Sequence, residues 1–165
     1  ALTPTQAILI SVGALALGYV VYEILCRSPI GEDDRKLAWA GFVLLVATGW
    51  LFTQIFSGRG AFVHVGALIG TCMVANVAHI IIPNQRKVVK ALLAGEKPDP
   101  KYGKQAKTRS THNNYLTLPV LFLMISGHYP MTFMSPYAWL MVGFVLIGWS
   151  ASFTYLEMVR DWREK

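Results

Sequence analysis

Five long stretches of the chain carry almost no charge, and short polar segments divide them. Leu37 to Phe56 has no Asp, Glu, Lys or Arg in twenty positions, Ala61 to Pro83 none in twenty-three, and Tyr137 to Leu156 none in twenty. Ala7 to Cys26 has one such residue, Glu23, and Thr111 to Tyr129 has only histidines. A helix crosses the hydrocarbon core of a bilayer in ~20 residues, and in lipid only helices and closed barrels satisfy their own backbone groups. Barrel strands take roughly 9–11 residues and alternate in polarity, which these runs do not. The pattern predicts an all-α integral membrane protein. Residues 1–165 form a single transmembrane helical domain with helices at about 5–26, 37–56, 61–83, 111–129 and 137–160, and a basic cytoplasmic loop at 84–110.

Turn residues sharpen these boundaries. Ser28-Pro29-Ile30-Gly31 separates the first two spans, and Ser57-Gly58-Arg59-Gly60 reads as a tight turn that packs the second and third spans antiparallel. Within the basic loop, Arg86 to Ala94 reads as a short interfacial helix stopping at Gly95. Val88, Val89, Leu92 and Leu93 lie on one side of it, and Arg86, Lys87 and Lys90 on the other. Glu96 to Gly103 is expected to be a loop, Ser110 or Thr111 to cap the fourth helix, and Pro119 to kink it. Tyr129, Tyr137 and Trp139 suit an outer aromatic belt and Trp162 an inner one.

Charge orients the bundle. Only 15% of the residues are charged, against roughly 25% in soluble domains, and the net charge is +6. Nearly all of the excess sits in Cys26–Lys36, in Asn84–Ser110 and in the tail with Arg160, Arg163 and Lys165, while the opposite connections carry only Arg59. The positive-inside rule then places the N-terminus outside and the C-terminus inside. The basic residues are a topology signal, and no nucleic-acid partner is expected. Cys26 and Cys72 read as reduced thiols, and no C-x-x-C-H is present for c-type haem. The first run lacks the basic start and cleavage site of a signal peptide. A chain that begins at Ala1 is expected to be processed or to belong to something longer.

All four histidines lie near span ends, where burying an ionisable group is costly. The topology pairs His64 with His128 at the outer end and His79 with His112 at the inner end. One reading is a haem b near the outer surface, with His64 and His128 as axial ligands and Arg59 on a propionate. Gly66 and Gly70 would then let the macrocycle approach. The other reading has interfacial histidines bonded to carbonyls or lipid headgroups, with the glycines as packing sites. His79 is the lesser candidate ligand. The spacing on the fourth helix puts His112 and His128 on different faces unless Pro119 corrects it.

A second constellation is polar and inner: Asn84, Gln85 and Arg86 after the third span, and His112, Asn113, Asn114 and Tyr115 at the start of the fourth. Amides, a fixed cation and an imidazole suit a flat anionic heterocycle rich in N–H and C=O groups. They equally suit a solvated loop with helix caps. Asn76, mid-span, reads as an interhelical hydrogen bond, and Glu23 as paired with a basic residue.

The run FSGRGAFVHVGALIGTCMVANVAHIIIPNQRKVV, then PDP and GKQAKTRSTHNNYLTLPVLFLMISGHYP, resembles the latter half of the membrane domain of the bacterial membrane-bound urate oxidases, or urate hydroxylases. CRSPIG and FTQIFSGRGAF fit the same family, and the likeness runs from about Gly13 to Gly148. The matching positions are Arg59, His64, Asn76, Asn84, Gln85, Arg86, Lys87, His112, Asn113, Asn114, Tyr115 and His128; His79 stands where the family often has an aromatic. The resemblance implies a multi-pass protein of the bacterial inner (cytoplasmic) membrane that oxidises urate in purine catabolism. It implies electrons passing through haem b to a c-type cytochrome, with no hydrogen peroxide formed. It also implies a longer membrane domain, so the partners expected are the missing half or other transmembrane subunits, a c-type cytochrome or respiratory complex, and lipid. In that scheme Gln85, Asn84, Asn113, Asn114 and Tyr115 bind the purine, Arg86 pairs with its charge and His112 moves a proton. The alternative is a non-catalytic haem b electron-transfer or structural subunit of a respiratory membrane complex.

Overall fold

The computed structural model describes residues 3–134 and Gly148, and these residues are helical with no strand among them. The expected fifth helix at 137–160, with Tyr137, Trp139 and Trp162, lies outside the described residues apart from Gly148.

Helix α1 spans Pro4–Arg27. Thr3 and Gln6 form a reciprocal capping box at its start. It stops before Pro29, since the residue preceding a proline is pushed out of helical geometry. A short 3-10 turn, Pro29–Glu32, leads to α2, Asp34–Ile55. Only glycine fits at position 31, because a Cβ there would collide with the Cys26 carbonyl. Helix α3, Gly58–Ala75, begins where Ser57 accepts a bond from the Gly60 N–H. With so short a link α2 and α3 run antiparallel: Phe56 and Phe52 lie against His64, and Gly49 against Val65.

Helix α3 is the axis of the bundle. Phe62, Val65, Ile69, Cys72 and Asn76 recur at 3–4 residue spacing, and all are buried. Phe52, Ala61, Phe62, Val65, Ile69 and Leu123 form one core. In lipid, helices associate through close packing rather than hydrophobic expulsion, which favours small residues at their contacts. Gly66 meets that need against α5, where a Cβ would sit 3.3 Å from Leu123 Cβ, and Gly18 meets it against Leu68. By contrast α1 buries none of its own residues, and Ile8, Leu9, Val12, Leu17 and Ile24 are each more than 60% exposed. Such a surface calls for lipid or other helices around it. Three segments are long and apolar enough to cross a membrane: Pro4–Arg27, Lys36–Ile55 and Gly58–Leu93.

The main departure from the sequence reading lies in residues 84–110, expected as a loop with a separate interfacial helix. The helix does not stop at Pro83. A π turn, Asn76–Ile81, carries α3 straight into α4, Ile82–Leu93, with the Ile82 N–H reaching back five residues to Val77. A proline ring clashes with the carbonyl four residues earlier, and the wider π turn relieves that clash without ending the helix. The result is a 36-residue helical run, about 54 Å long and so longer than a bilayer core. Helix α4 ends at Gly95, whose φ of 71° allows the Glu96 N–H to bond back to Ala91.

Helix α5 then runs from Pro100 to Ser126. It starts not at Ser110 or Thr111 but at Asp99, which caps the Lys101 N–H ahead of a proline in the first turn. Pro119 sits buried inside α5 with Gly148 packed against it. A four-residue helix α6, Pro130–Phe133, follows. Helices α4 and α5 form an antiparallel hairpin, joined by the Asn84–Gln105 bond at 3.1 Å and by Lys87 over the Tyr102 ring at 4.4 Å.

Phe62 is 1% exposed at the junction of α2, α3 and α5. Phe62→Ala is expected to cost about 3–5 kcal/mol, read as a lowered thermal unfolding midpoint in detergent. A midpoint unchanged from the wild type would remove Phe62 from the core.

Candidate functional site

At the end of the bundle that carries the hairpin, three helices bring polar side chains into an otherwise apolar interior. Glu23 and Tyr22 come from α1, Asn76 from the first position of the π turn, and Arg109, His112 and Asn113 from α5. Arg109 Nη2 lies 2.8 Å from Glu23 Oε2, and Arg27 Nε lies 2.8 Å from Glu23 Oε1. Arg109 Nη1 donates to Asn76 Oδ1 at 3.2 Å. The Asn76 amide nitrogen donates to the Tyr22 hydroxyl at 2.8 Å and to Asn113 Oδ1 at 2.9 Å. Asn113 in turn donates to the Met73 carbonyl at 3.0 Å. Asn76, 1% exposed, thus uses its oxygen and both of its amide hydrogens, as a buried polar group must.

The network also reaches His112: the Tyr22 hydroxyl, which accepts from Asn76, lies 3.1 Å from His112 Nδ1. Arg109 rests over the Tyr22 ring with its guanidinium carbon 5.3 Å from the centroid. Beside the cluster lies a cavity of about 100 Å³ between α1, α2, α3 and α5. Tyr22, His112, Tyr115 and Cys72 line part of it, and leucines most of the rest.

The sequence-predicted purine residues divide. His112 and Asn113 belong to the cluster, and Tyr115 lines the cavity. Asn84 is buried but bonded to Gln105 within the hairpin. Gln85 and Arg86 are exposed and line a separate groove on α4 with Ile81, Ile82, Val89, Lys90 and Leu93. Asn114 is exposed. His79, also exposed, meets the Tyr19 hydroxyl at 3.2 Å.

The opposite end holds His64, Arg59 and His128. His64 Nδ1 donates to the Gly60 carbonyl at 2.7 Å, the kind of bond that orients an axial imidazole. Its Nε2, however, is 2.7 Å from Ser11 Oγ on α1, and its ring stacks on Phe56 at 4.0 Å. His64 therefore faces α1 and α2. The last turn of α5 meets other positions of α3, Val63 and Gly66, and Arg59 lies near Gly127. His128, next in the chain, is exposed. Both ring nitrogens of His64 are thus engaged within the bundle, and a haem held between His64 and His128 would have to break the contact at Nε2.

Four contributors escaped the sequence reading as site residues: Tyr22, Glu23, Asn76 and Arg109. Asn76 and Glu23 were expected as packing and pairing groups, and that is how they are bonded. Arg109 was hidden among basic neighbours. Its signal was phase: Ala106, Arg109, Asn113, Leu116, Val120 and Leu123 continue one inward stripe at 3–4 residue spacing.

Fold and site together define an all-helical module among the described residues, with three segments long and apolar enough to cross a membrane and a buried guanidinium, carboxylate and amides at its basic end. The chain belongs to the urate oxidase N-terminal family, whose model matches residues 1–164. No curated protein and no solved structure matches it.

Asn76→Leu leaves Arg109, Tyr22 and Asn113 each short of a partner. It is expected to destabilise the protein by about 1–3 kcal/mol or more, while Asn114→Ala at an exposed site stays within about 0.5 kcal/mol. Thermal unfolding of the two variants side by side checks the contrast, and equal midpoints would refute it.

Proposed function

We infer that this chain is the membrane-embedded part of a urate-oxidising system whose electrons leave for a c-type cytochrome in the bacterial inner membrane. The observation that carries this is the match of the urate oxidase N-terminal family across residues 1–164. The residues at one end of the bundle support this reading. Urate is a flat monoanion near neutral pH, rich in N–H and C=O groups, and the basic end holds amides, an imidazole and fixed cations. Urate loses two electrons, water supplies the oxygen that hydroxylates the ring, and two protons are released. Two one-electron carriers of the cytochrome type accept the electrons, so oxygen is not consumed to peroxide.

In this reading His112 takes up one of the released protons, Asn113 contributes an amide contact, and Tyr22 orients the imidazole through its contact at Nδ1. Arg86 and the lysines of the α4–α5 hairpin attract the anion towards this end. No step is assigned to a haem. Its test is a reduced-minus-oxidised spectrum with pyridine haemochrome, where the geometry leads us to expect no b-type signal that depends on His64. A signal present in the wild type and lost in His64→Ala would restore that ligand.

Membranes carrying the chain with its partners should reduce ferricytochrome c when urate is added, with no matching peroxide. His112→Ala should lower that rate by about 10²-fold or more, the usual size of a lost acid–base group, with folding intact. Urate-independent cytochrome reduction, or peroxide formed mole for mole, would reject the reading.

A further inference from the structure

We propose that Arg109 is the residue that anchors the substrate anion, and that Glu23 occupies the anion's place until substrate displaces it. The inference rests on the urate reading above and moves the charge-pairing role from Arg86 to Arg109. Arg86 is exposed on the outer groove of α4, apart from His112. Arg109 is 8% exposed, on the same helix as His112 and Asn113 and one turn from both.

Counting charge gives the first argument. Glu23 is held between two arginines, Arg27 and Arg109, each 2.8 Å from a different carboxylate oxygen. The trio carries a net charge of one positive, which one monoanion would neutralise. A planar guanidinium binds carboxylate oxygens and the oxygens and deprotonated nitrogen of a purine anion in the same in-plane geometry. Glu23 therefore occupies the position that such a ligand would compete for.

Access gives the second argument. The Arg27 side chain is 73% exposed and that of Glu23 is 15% exposed, while that of Arg109 is 9% exposed. The three form a graded path from water to the buried cation. A carboxylate that swings with Arg27 towards solvent uncovers Arg109 without disturbing Asn76, which bonds the other guanidinium nitrogen. Around this end lie Lys36 and the hairpin, where residues 84–110 carry eight basic and two acidic side chains. Their field draws anions to the mouth of the path.

The third argument is the surroundings of the vacated place. Tyr22 lies under the guanidinium, Asn113 and His112 follow on α5, and the cavity edged by Tyr22 and His112 adjoins them. A flat ring paired to Arg109 meets an aromatic face and amide groups there, with the imidazole within the same cluster.

The test uses the full chain with its partners in membranes or detergent, and labelled urate as probe. Removing the competing charge in Glu23→Gln should tighten urate binding by about tenfold, the value of one displaced ion pair. It should also make the thermal midpoint rise more steeply with urate than in the wild type. Arg109→Gln should abolish binding, Arg109→Lys should keep part of it, and Arg86→Gln should lower the association rate and its salt dependence with little change in dissociation. Where Glu23→Gln fails to fold, Glu23→Asp, with a shorter reach to Arg109, should show the same direction in weaker form. A wild type that binds urate while the Glu23 variants bind it no more tightly overturns the displacement. So does loss of binding in Arg86→Gln with Arg109→Gln unaffected. No urate bound by the wild type or any variant overturns the functional reading itself.

Discussion

A guanidinium among apolar helices has to be matched group by group, and the matching of Arg109 sets how α1, α3 and α5 meet. Its charge is answered by Glu23 from α1, and its second nitrogen by Asn76 from the junction of α3 and α4. Leaving any partner out would strand a charge or an amide in a medium of low polarity. The rotation of each helix about its own axis is therefore constrained at this end, while at the other end the apolar core of Phe52, Phe62 and Leu123 and the approach at Gly66 do the packing. A buried ion pair is poor evidence of stability, since packed apolar residues often do as well. Here its value is in orientation, because it decides which residues of three helices face one another.

Chemistry follows from that orientation. Tyr22 and Glu23 are neighbours in sequence and address different partners: Tyr22 meets the His112 ring, and Glu23 holds the cation. The same amide, Asn76, touches both branches. Protonation at His112 and charge at Arg109 are thereby linked through a single side chain, an arrangement suited to a reaction in which an anion loses protons and electrons together.

How much of this was legible depended on what the local sequence displayed. The bodies of α1, α2 and α3 were plain, because charge-free runs of twenty residues have few other readings. The turn at Ser57 and the stop at Gly95 were equally plain from their residue types. The continuation through Pro83 was not, because a proline usually signals an end and only the π turn accommodates it within a helix. The early start of α5 was missed because lysines at 101, 104 and 107 read as loop, although Ala106 and Arg109 already keep the phase of the buried stripe. His112 and Asn113 were recognisable as chemistry. Arg86 drew attention over Arg109 because one-dimensional charge gives no burial, and span ends fix the height of a histidine but not its azimuth.

The π turn has a mechanical meaning as well. Relative to a continuous α-helix it carries one additional residue, and one residue is about 100° of rotation. Everything beyond it, from Arg86 to the hairpin tip, is turned by that angle with respect to the bundle below. The hairpin's cations therefore point where they do by virtue of a single inserted position, and the chain could re-aim its whole basic arm by losing one residue between Asn76 and Ile81. In that sense the segment is an indexing step, a notch that sets the bearing of the basic arm of the molecule against its apolar part.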